Sequence, residues 1–279
     1  MKRQEQKIKS KITEFKKAVY DHYKKEGRSF PWRENTDPWG ILVSELMLQQ
    51  TQTERVMVYW TRWMKKWPTA EALHKATLEE ALKEWNGLGY NRRCRFVKDC
   101  ARIVTTKLNG QLPRKPYDLI ALPGIGPYTA GAIACFAYNF PSVFIETNIR
   151  AAVIHFFFQD EAEVEDRQLV PILEEALDRR DPRTWYWALM DYGAALKKLT
   201  PNPNRRSAHY SRQNPFEGSF RQIRGSLVRS LLAGGPLSAG DLRKKMDIKA
   251  DEEDIYKALD SLKDDFLVAE KAGVYQIRE

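Results

Sequence analysis

"ALPGIGPYTAGAIACFAYNFPSVFIETNIRAAV", Ala121–Val153, decides how the chain is read. Gly124 and Gly126 permit a tight turn, and Pro127 suits the first position of a helix, so a helix over 127–138 is expected to begin there. Backbone N–H groups at such a start face outward and can take a phosphate. About twenty residues later, Glu146 opens a second expected helix, 146–158, between apolar neighbours. A carboxylate in that place can cap the helix, or it can stand ionised beside a centre where positive charge develops.

Outward from this stretch the apolar period is helical. Ile8, Ile12, Phe15, Val19 and Tyr23 make one stripe, which predicts a helix over about 6–25. Pro31 and Pro38 bracket a loop, "FPWRENTDPWG", and further helices are expected near 39–50, 53–66, 70–75, 78–85, 91–109, 115–121, 166–178 and 183–198. No strand is expected before residue 260. The glycine turn, flanked by helices in a basic chain, has the form of a helix-hairpin-helix, which holds the DNA backbone without reading sequence. "TPNPNRRSAHYSRQNPFEGS", Thr200–Ser219, has no usable period and reads as a linker. Beyond it, helices near 220–233, 238–246 and 251–264 precede "FLVAE" and "VYQIR", two β-like runs around "KAG". Three short helices closed by a hairpin describe a winged-helix-like unit. Its third helix starts with Asp251, Glu252, Glu253 and Asp254, so a role in DNA contact and a role in protein packing both stay open. The expected organisation is a mainly α core over 1–200, a basic linker over 201–218 and a small α+β domain over 219–279.

The 279 residues include 43 % hydrophobic ones, enough for a core without staples. A net charge of +9 and a pI near 9.3 favour a polyanionic partner. Cys94, Cys100 and Cys135 show no metal-ligand spacing, which predicts reduced thiols and a cytoplasmic setting. No apolar run reaches membrane-spanning length, and the N-terminal residues lack the apolar centre of a secretory signal.

A second carboxylate, Glu45, lies among Ile41, Leu42, Leu46, Met47 and Leu48, where a charge needs a partner or a task. Two such carboxylates in a DNA-binding helical chain suit cleavage of a glycosidic bond. One protonates the leaving group and the other stabilises an oxocarbenium-like sugar.

"PWRENTDPWGILVSELMLQQTQTERV", "EWNGLGYNRRCR", "LPGIGPYTAGAI", "ETNIRAAV" and "ALMDYGAAL" resemble, in order and spacing, the helix-hairpin-helix DNA glycosylases, closest to the A/G-specific adenine glycosylases of the MutY type. The resemblance covers roughly residues 28–196. It implies that Glu45 is the acid that protonates the base, that Gln50 intercalates beside the orphaned base, and that Tyr90 wedges into the stack, as base extraction requires. Thr51, Gly124, Gly126 and Arg150 are the further DNA-binding residues it implies. Asn148 falls on the family's asparagine position, and Trp32, Arg33, Leu46 and Trp187 line the expected base pocket. Tyr128 stands where bifunctional relatives carry a Schiff-base lysine, which implies a monofunctional enzyme with no lyase step.

The sequence departs from that pattern in four places. Glu146 replaces the family's aspartate, and its extra methylene shifts the carboxylate by about one bond in a preorganised site. The cysteines of a [4Fe–4S] cluster, expected after "MDYGA", are replaced by "ALKKLTPNPNRRSAHY", so no cofactor and no metal is expected. The residues after the linker are fewer than the family's 8-oxoguanine-recognising domain has. Trp187 stands where adenine-specific relatives place a polar residue, and one indole N–H cannot make the same pairing contacts. Adenine opposite 8-oxoguanine or guanine is the expected substrate, in double-stranded DNA and with a monomeric enzyme. Thymine or uracil opposite guanine is the alternative on account of Tyr128 and Trp187. Glu146 also leaves open a catalytically weak lesion-binding protein.

Overall fold

A computed structural model describes residues 2–211 and 215–279, with side chains from residue 6 onward. In chain order the helices are α1 Lys2–Glu26, α2 Pro31–Glu34, α3 Pro38–Leu48, α4 Thr53–Lys66, α5 Ala70–Lys75, α6 Leu78–Trp85, α7 Arg92–Lys107 and α8 Pro116–Leu119. Then follow α9 Pro127–Tyr138, α10 Thr147–Phe157, α11 Asp166–Ala176 and α12 Pro182–Leu199. The C-terminal part holds α13 Phe220–Gly234, β1 Leu237–Ser238, α14 Ala239–Lys245, α15 Glu252–Asp264, β2 Val268–Lys271 and β3 Val274–Ile277. The fold is mainly α with a small α+β part, as the periodicity predicts. The expected loop at 31–34 is instead one helical turn, because Pro31 at its first position has its φ already set for a helix.

The chain forms two compact units that do not follow sequence order. The first comprises Met1–Ile41, Pro113–Ala121 and Ile125–Arg212, and the second Leu42–Leu112, Leu122–Gly124 and Gln213–Glu279. In the first, the α1 stripe buries Ile12, Phe15 and Val19, while Ile8 at its outer end is exposed. The Phe15 ring lies 5.1, 5.2 and 5.9 Å from those of Phe156, Phe157 and Trp185.

The expected linker is a docked segment for part of its length. Pro203–Arg206 is a 3-10 turn, and Asn204 and Ser207 are buried. Asn204 Nδ2 donates to the Thr147 carbonyl at 2.9 Å, and Arg206 donates to the carbonyls of Phe158 and Gln159. The carbonyls that a helix leaves unpaired at its C-terminal end explain why Arg206 binds beyond α10 rather than remaining solvated. Val164 and Ser207 add a parallel bridge.

In the second unit Trp63 meets Trp67 and Trp85 edge to face at 4.7 and 5.4 Å. Leu227, Leu231, Leu242, Ile255, Leu259 and Leu262 form the core of the C-terminal part. Its sheet has the order β1-β3-β2, and β2 and β3 pair antiparallel from Val268↔Ile277 to Lys271↔Val274. The hairpin turn at Ala272 and Gly273 has φ of 51° and 76°, the left-handed pair that matches strand twist. β1 lies in what the sequence suggests is a turn, since pairing with β3 supplies its order. This part is tied to α7 within the same unit: Arg92 pairs with Asp265 at 3.2 Å, and Arg95 donates to the Phe266 carbonyl at 3.3 Å. The C-terminal part and α4–α7 thus belong to one unit.

Candidate active site

In the first unit, Glu146 is the N-cap of α10. Its carboxylate accepts from the backbone N–H groups of Asn148 and Ile149 at 2.7 and 2.9 Å, and from Asn148 Nδ2 at 3.2 Å. The longer side chain thus fills the capping role while its carboxylate is held by three donors. Burial pushes its pKa up, and this outweighs those hydrogen bonds and the charge of Lys197. Burial likewise lowers the pKa of Lys197, against the pull of Glu146. α12 lies against this helix start because position 193 is glycine: a Cβ there would fall 1.9 Å from the Asn148 carbonyl oxygen.

Of the residues expected around a base, Trp32, Arg33 and Trp187 belong to an aromatic and cationic group in the same unit. Trp32 is buried and stacks on Phe30 at 5.3 Å, and the Arg33 guanidinium lies 4.8 Å from Phe30 and 5.6 Å from Trp187. Trp187 also faces Phe136 at 6.1 Å. Tyr128 meets Phe144 edge to face at 5.8 Å, and Phe144 stacks on Tyr186 at 4.0 Å.

Arg33 is not a free pocket cation. It donates to both oxygens of Asp191 at 2.9 Å, and Arg28 adds its backbone N–H and two guanidinium bonds to the same carboxylate. Burial works to raise the Asp191 pKa, but Arg33 and Arg28 hold it below the ordinary carboxylate range. Folding gains from this ion pair above the unfolded-state pKa and loses it as pH falls through the lowered folded value. Asp191→Ala is expected to cost about 3 kcal/mol at pH 7, because two guanidiniums lose their carboxylate, and a chemical denaturation curve measures it. Asp191 stands in "ALMDYGAAL" as a lone acid in an apolar run, the signal that singles out Glu45. Arg150 is similarly paired: it forms a two-pronged bond with Asp166 at 2.7 Å, which fixes the start of α11.

In the second unit Glu45 is 4 % exposed on α3, and Leu46 beside it is fully buried. Gln50 and Tyr90 line one groove of about 820 Å³, together with Thr51. Both are held in left-handed backbone, with φ of 55° and 49°. Such strain, about 1 kcal/mol or more each, persists where surroundings over-determine it. The surroundings here are Arg93, which the sequence shows only as part of a basic run. Arg93 is 5 % exposed and donates to the carbonyls of Leu46, Met47 and Gln49 at the end of α3, to Thr51 Oγ1 at 3.0 Å, and to the Gly89 carbonyl at 3.0 Å. Burial lowers its pKa to about 10, so it stays charged at neutral pH. Arg93→Met is expected to destabilise the chain by about 2–3 kcal/mol through the unpaired carbonyls, and a shift in the urea midpoint reads the loss.

At the hairpin turn, Gly124 has φ +75°, and a Cβ would fall 2.4 Å from the Phe96 ring. The Gly124 carbonyl accepts from Gln49 Nε2 at 3.4 Å. Gly126 differs: its φ of −87° suits any residue, and nothing lies within 4 Å of a Cβ there. The fold does not require glycine at 126.

Among the described residues no cluster of His, Cys, Asp or Glu could hold a metal ion, and Cys94, Cys100 and Cys135 are each buried and unbridged. The thiolates that a [4Fe–4S] cluster needs are missing from the docked segment after α12, so the residues present do not fit that group. No helix is long and apolar enough to cross a membrane, among the described residues.

Residues 43–175 match the HhH-GPD superfamily of base excision DNA repair proteins. The adenine DNA glycosylase of Mycolicibacterium smegmatis is 35 % identical over 91 % of this chain and 91 % of its own. That of Mycobacterium tuberculosis is 34 % identical over 88 % and 87 %, and the human one 33 % over 82 % and 43 %. A solved thermostable thymine-DNA glycosylase shares the fold, with a TM-score of 0.60 at 24 % identity over 66 % of this chain and 87 % of its own. A non-covalent endonuclease III–DNA complex gives 0.56 at 18 %, over 65 % and 84 %. Coverage of 91 % is too high for the match to stop at the core motifs, so the likeness to the mycobacterial protein extends into the region after α12. The chain belongs to the adenine DNA glycosylases of the HhH-GPD superfamily.

Proposed function

We propose that the enzyme hydrolyses the N-glycosidic bond of adenine opposite 8-oxoguanine or guanine in double-stranded DNA, as a cluster-free, monofunctional, monomeric glycosylase. The observation that carries the chemistry is the carboxylate of Glu146, fixed by three donors at the start of α10. The names of its relatives support adenine as the base. Gln50 and Tyr90 take the place of the extruded nucleotide in the stack, and Gly126 leaves the start of α9 open to the backbone. Glu45 gives a proton to the departing base, the C–N bond breaks, and Glu146 stabilises the cationic sugar until water adds to it. Tyr128 offers no amine for a Schiff base, so the product is an intact strand with an abasic site.

The half-buried Trp187, beside Arg33 and Phe136, favours thymine or uracil opposite guanine as the second reading. Single-turnover rates on duplexes carrying A:8-oxoguanine, A:G, T:G, U:G and hypoxanthine:T separate the two. Fastest release from the A-containing duplexes supports the first reading. Fastest release from T:G or U:G replaces it with the second. Strand scission without alkali would contradict the monofunctional assignment and direct attention to Lys197.

A further inference from the structure

We propose that the groove walled by α13 in the second unit is a binding site for the phosphodiester backbone of DNA, with Arg221 and Arg229 as its anion-binding groups. This rests on the reading that Gln50 and Tyr90 meet DNA, since both line the same groove. Six arginines line it, and Asp265 is the one acid among the described lining residues. Arg221, Gly225 and Arg229 are spaced by four and share one face of α13. Gly225 keeps that face low between the two cations, for a Cβ there would meet only the Arg229 guanidinium, at 3.3 Å.

The two arginines are placed differently. Arg221 donates to Tyr90 Oη at 2.5 Å and lies 5.5 Å over its ring, while Arg93 lies 5.2 Å from the same ring. The C-terminal part is thereby joined to the wedge residue itself. Arg229 pairs with Asp247 at 2.8 Å, both side chains being partly exposed, so a phosphate can compete for that guanidinium at little loss. The third helix of a winged helix usually enters the major groove. Here α15 opens with Glu252, Glu253 and Asp254, a negative first turn that repels phosphate. The C-terminal part thus uses its first helix, α13, to face DNA.

The test is equilibrium binding, by fluorescence anisotropy at several salt concentrations, of a duplex with a tetrahydrofuran abasic analogue opposite 8-oxoguanine. No chemistry is needed, so the outcome is independent of base identity. Arg221→Gln and Arg229→Gln are each expected to reduce the slope of log K against log[salt] by roughly 0.9, one phosphate contact apiece. Arg221→Lys and Arg229→Lys should keep the wild-type slope, which a purely structural role for the guanidinium fork would not give. Lys257→Gln on α15 should leave it unchanged. Wild-type slopes in both glutamine variants, or a lowered slope in Lys257→Gln, would overturn the assignment. Failure of the glycosylase reading shows up separately, as no base release by the wild-type enzyme in the duplex panel.

Discussion

Replacing Glu45 by glutamine is expected to reduce single-turnover base release by about 10²–10⁴-fold, the contribution of a positioned proton donor. Glu45 is 4 % exposed on α3, a helix that has no other charged residue. Its neighbours Leu42, Leu46 and Met47 are fully buried, so the carboxyl is held by a well-packed scaffold rather than by a loop. Glutamine keeps the shape and the hydrogen-bonding capacity of the side chain but cannot deliver a proton to the base. The variant should fold, bind the duplex, and release almost nothing. Activity within tenfold of wild type would remove Glu45 from the mechanism.

Glu146→Gln is expected to cost about 10²–10³-fold in the same assay, the range for loss of one preorganised electrostatic contact. Stability should move the other way. A carboxyl whose pKa is raised by burial binds its proton more tightly in the folded chain than in the unfolded one. Folding stability therefore declines as pH rises from the ordinary glutamate value through the raised one. Glutamine carries no such penalty and its side-chain oxygen can still cap α10. The variant should be at least as stable as wild type at pH 7, with its catalysis lost. For the wild-type enzyme, the acid limb of base release should lie above the ordinary glutamate range, since only the ionised group stabilises the sugar cation. A pH–rate profile and a thermal melt at pH 5 and 7 check both statements.

The helices were legible because their apolar spacing is local. The bounds expected for 53–66, 70–75, 78–85 and 127–138 coincide with α4, α5, α6 and α9. β1 and the 3-10 turn at Pro203–Arg206 were not legible, since their order comes from partners far along the chain: β3 for the first, and the ends of α10 for the second. The site was legible in part for the same reason. Glu146 announces its capping position through the residues beside it, whereas the commitment of Arg33 to Asp191 and of Arg150 to Asp166 depends on tertiary contacts. Arg93 is the clearest case: "NRRCR" looks like a solvated basic run, yet one of its arginines is buried and joins the end of α3 to the loop that carries Tyr90.

Single-turnover release of free adenine from an A:8-oxoguanine duplex, with the strand examined before and after alkali, tests whether Glu45 and Glu146 cleave the glycosidic bond. The wild-type enzyme is expected to release adenine and Glu45→Gln almost none, with strand scission only after alkali. A wild-type protein that binds this duplex but releases no base from it, or from any duplex of the panel, would be a lesion-binding protein and not a glycosylase.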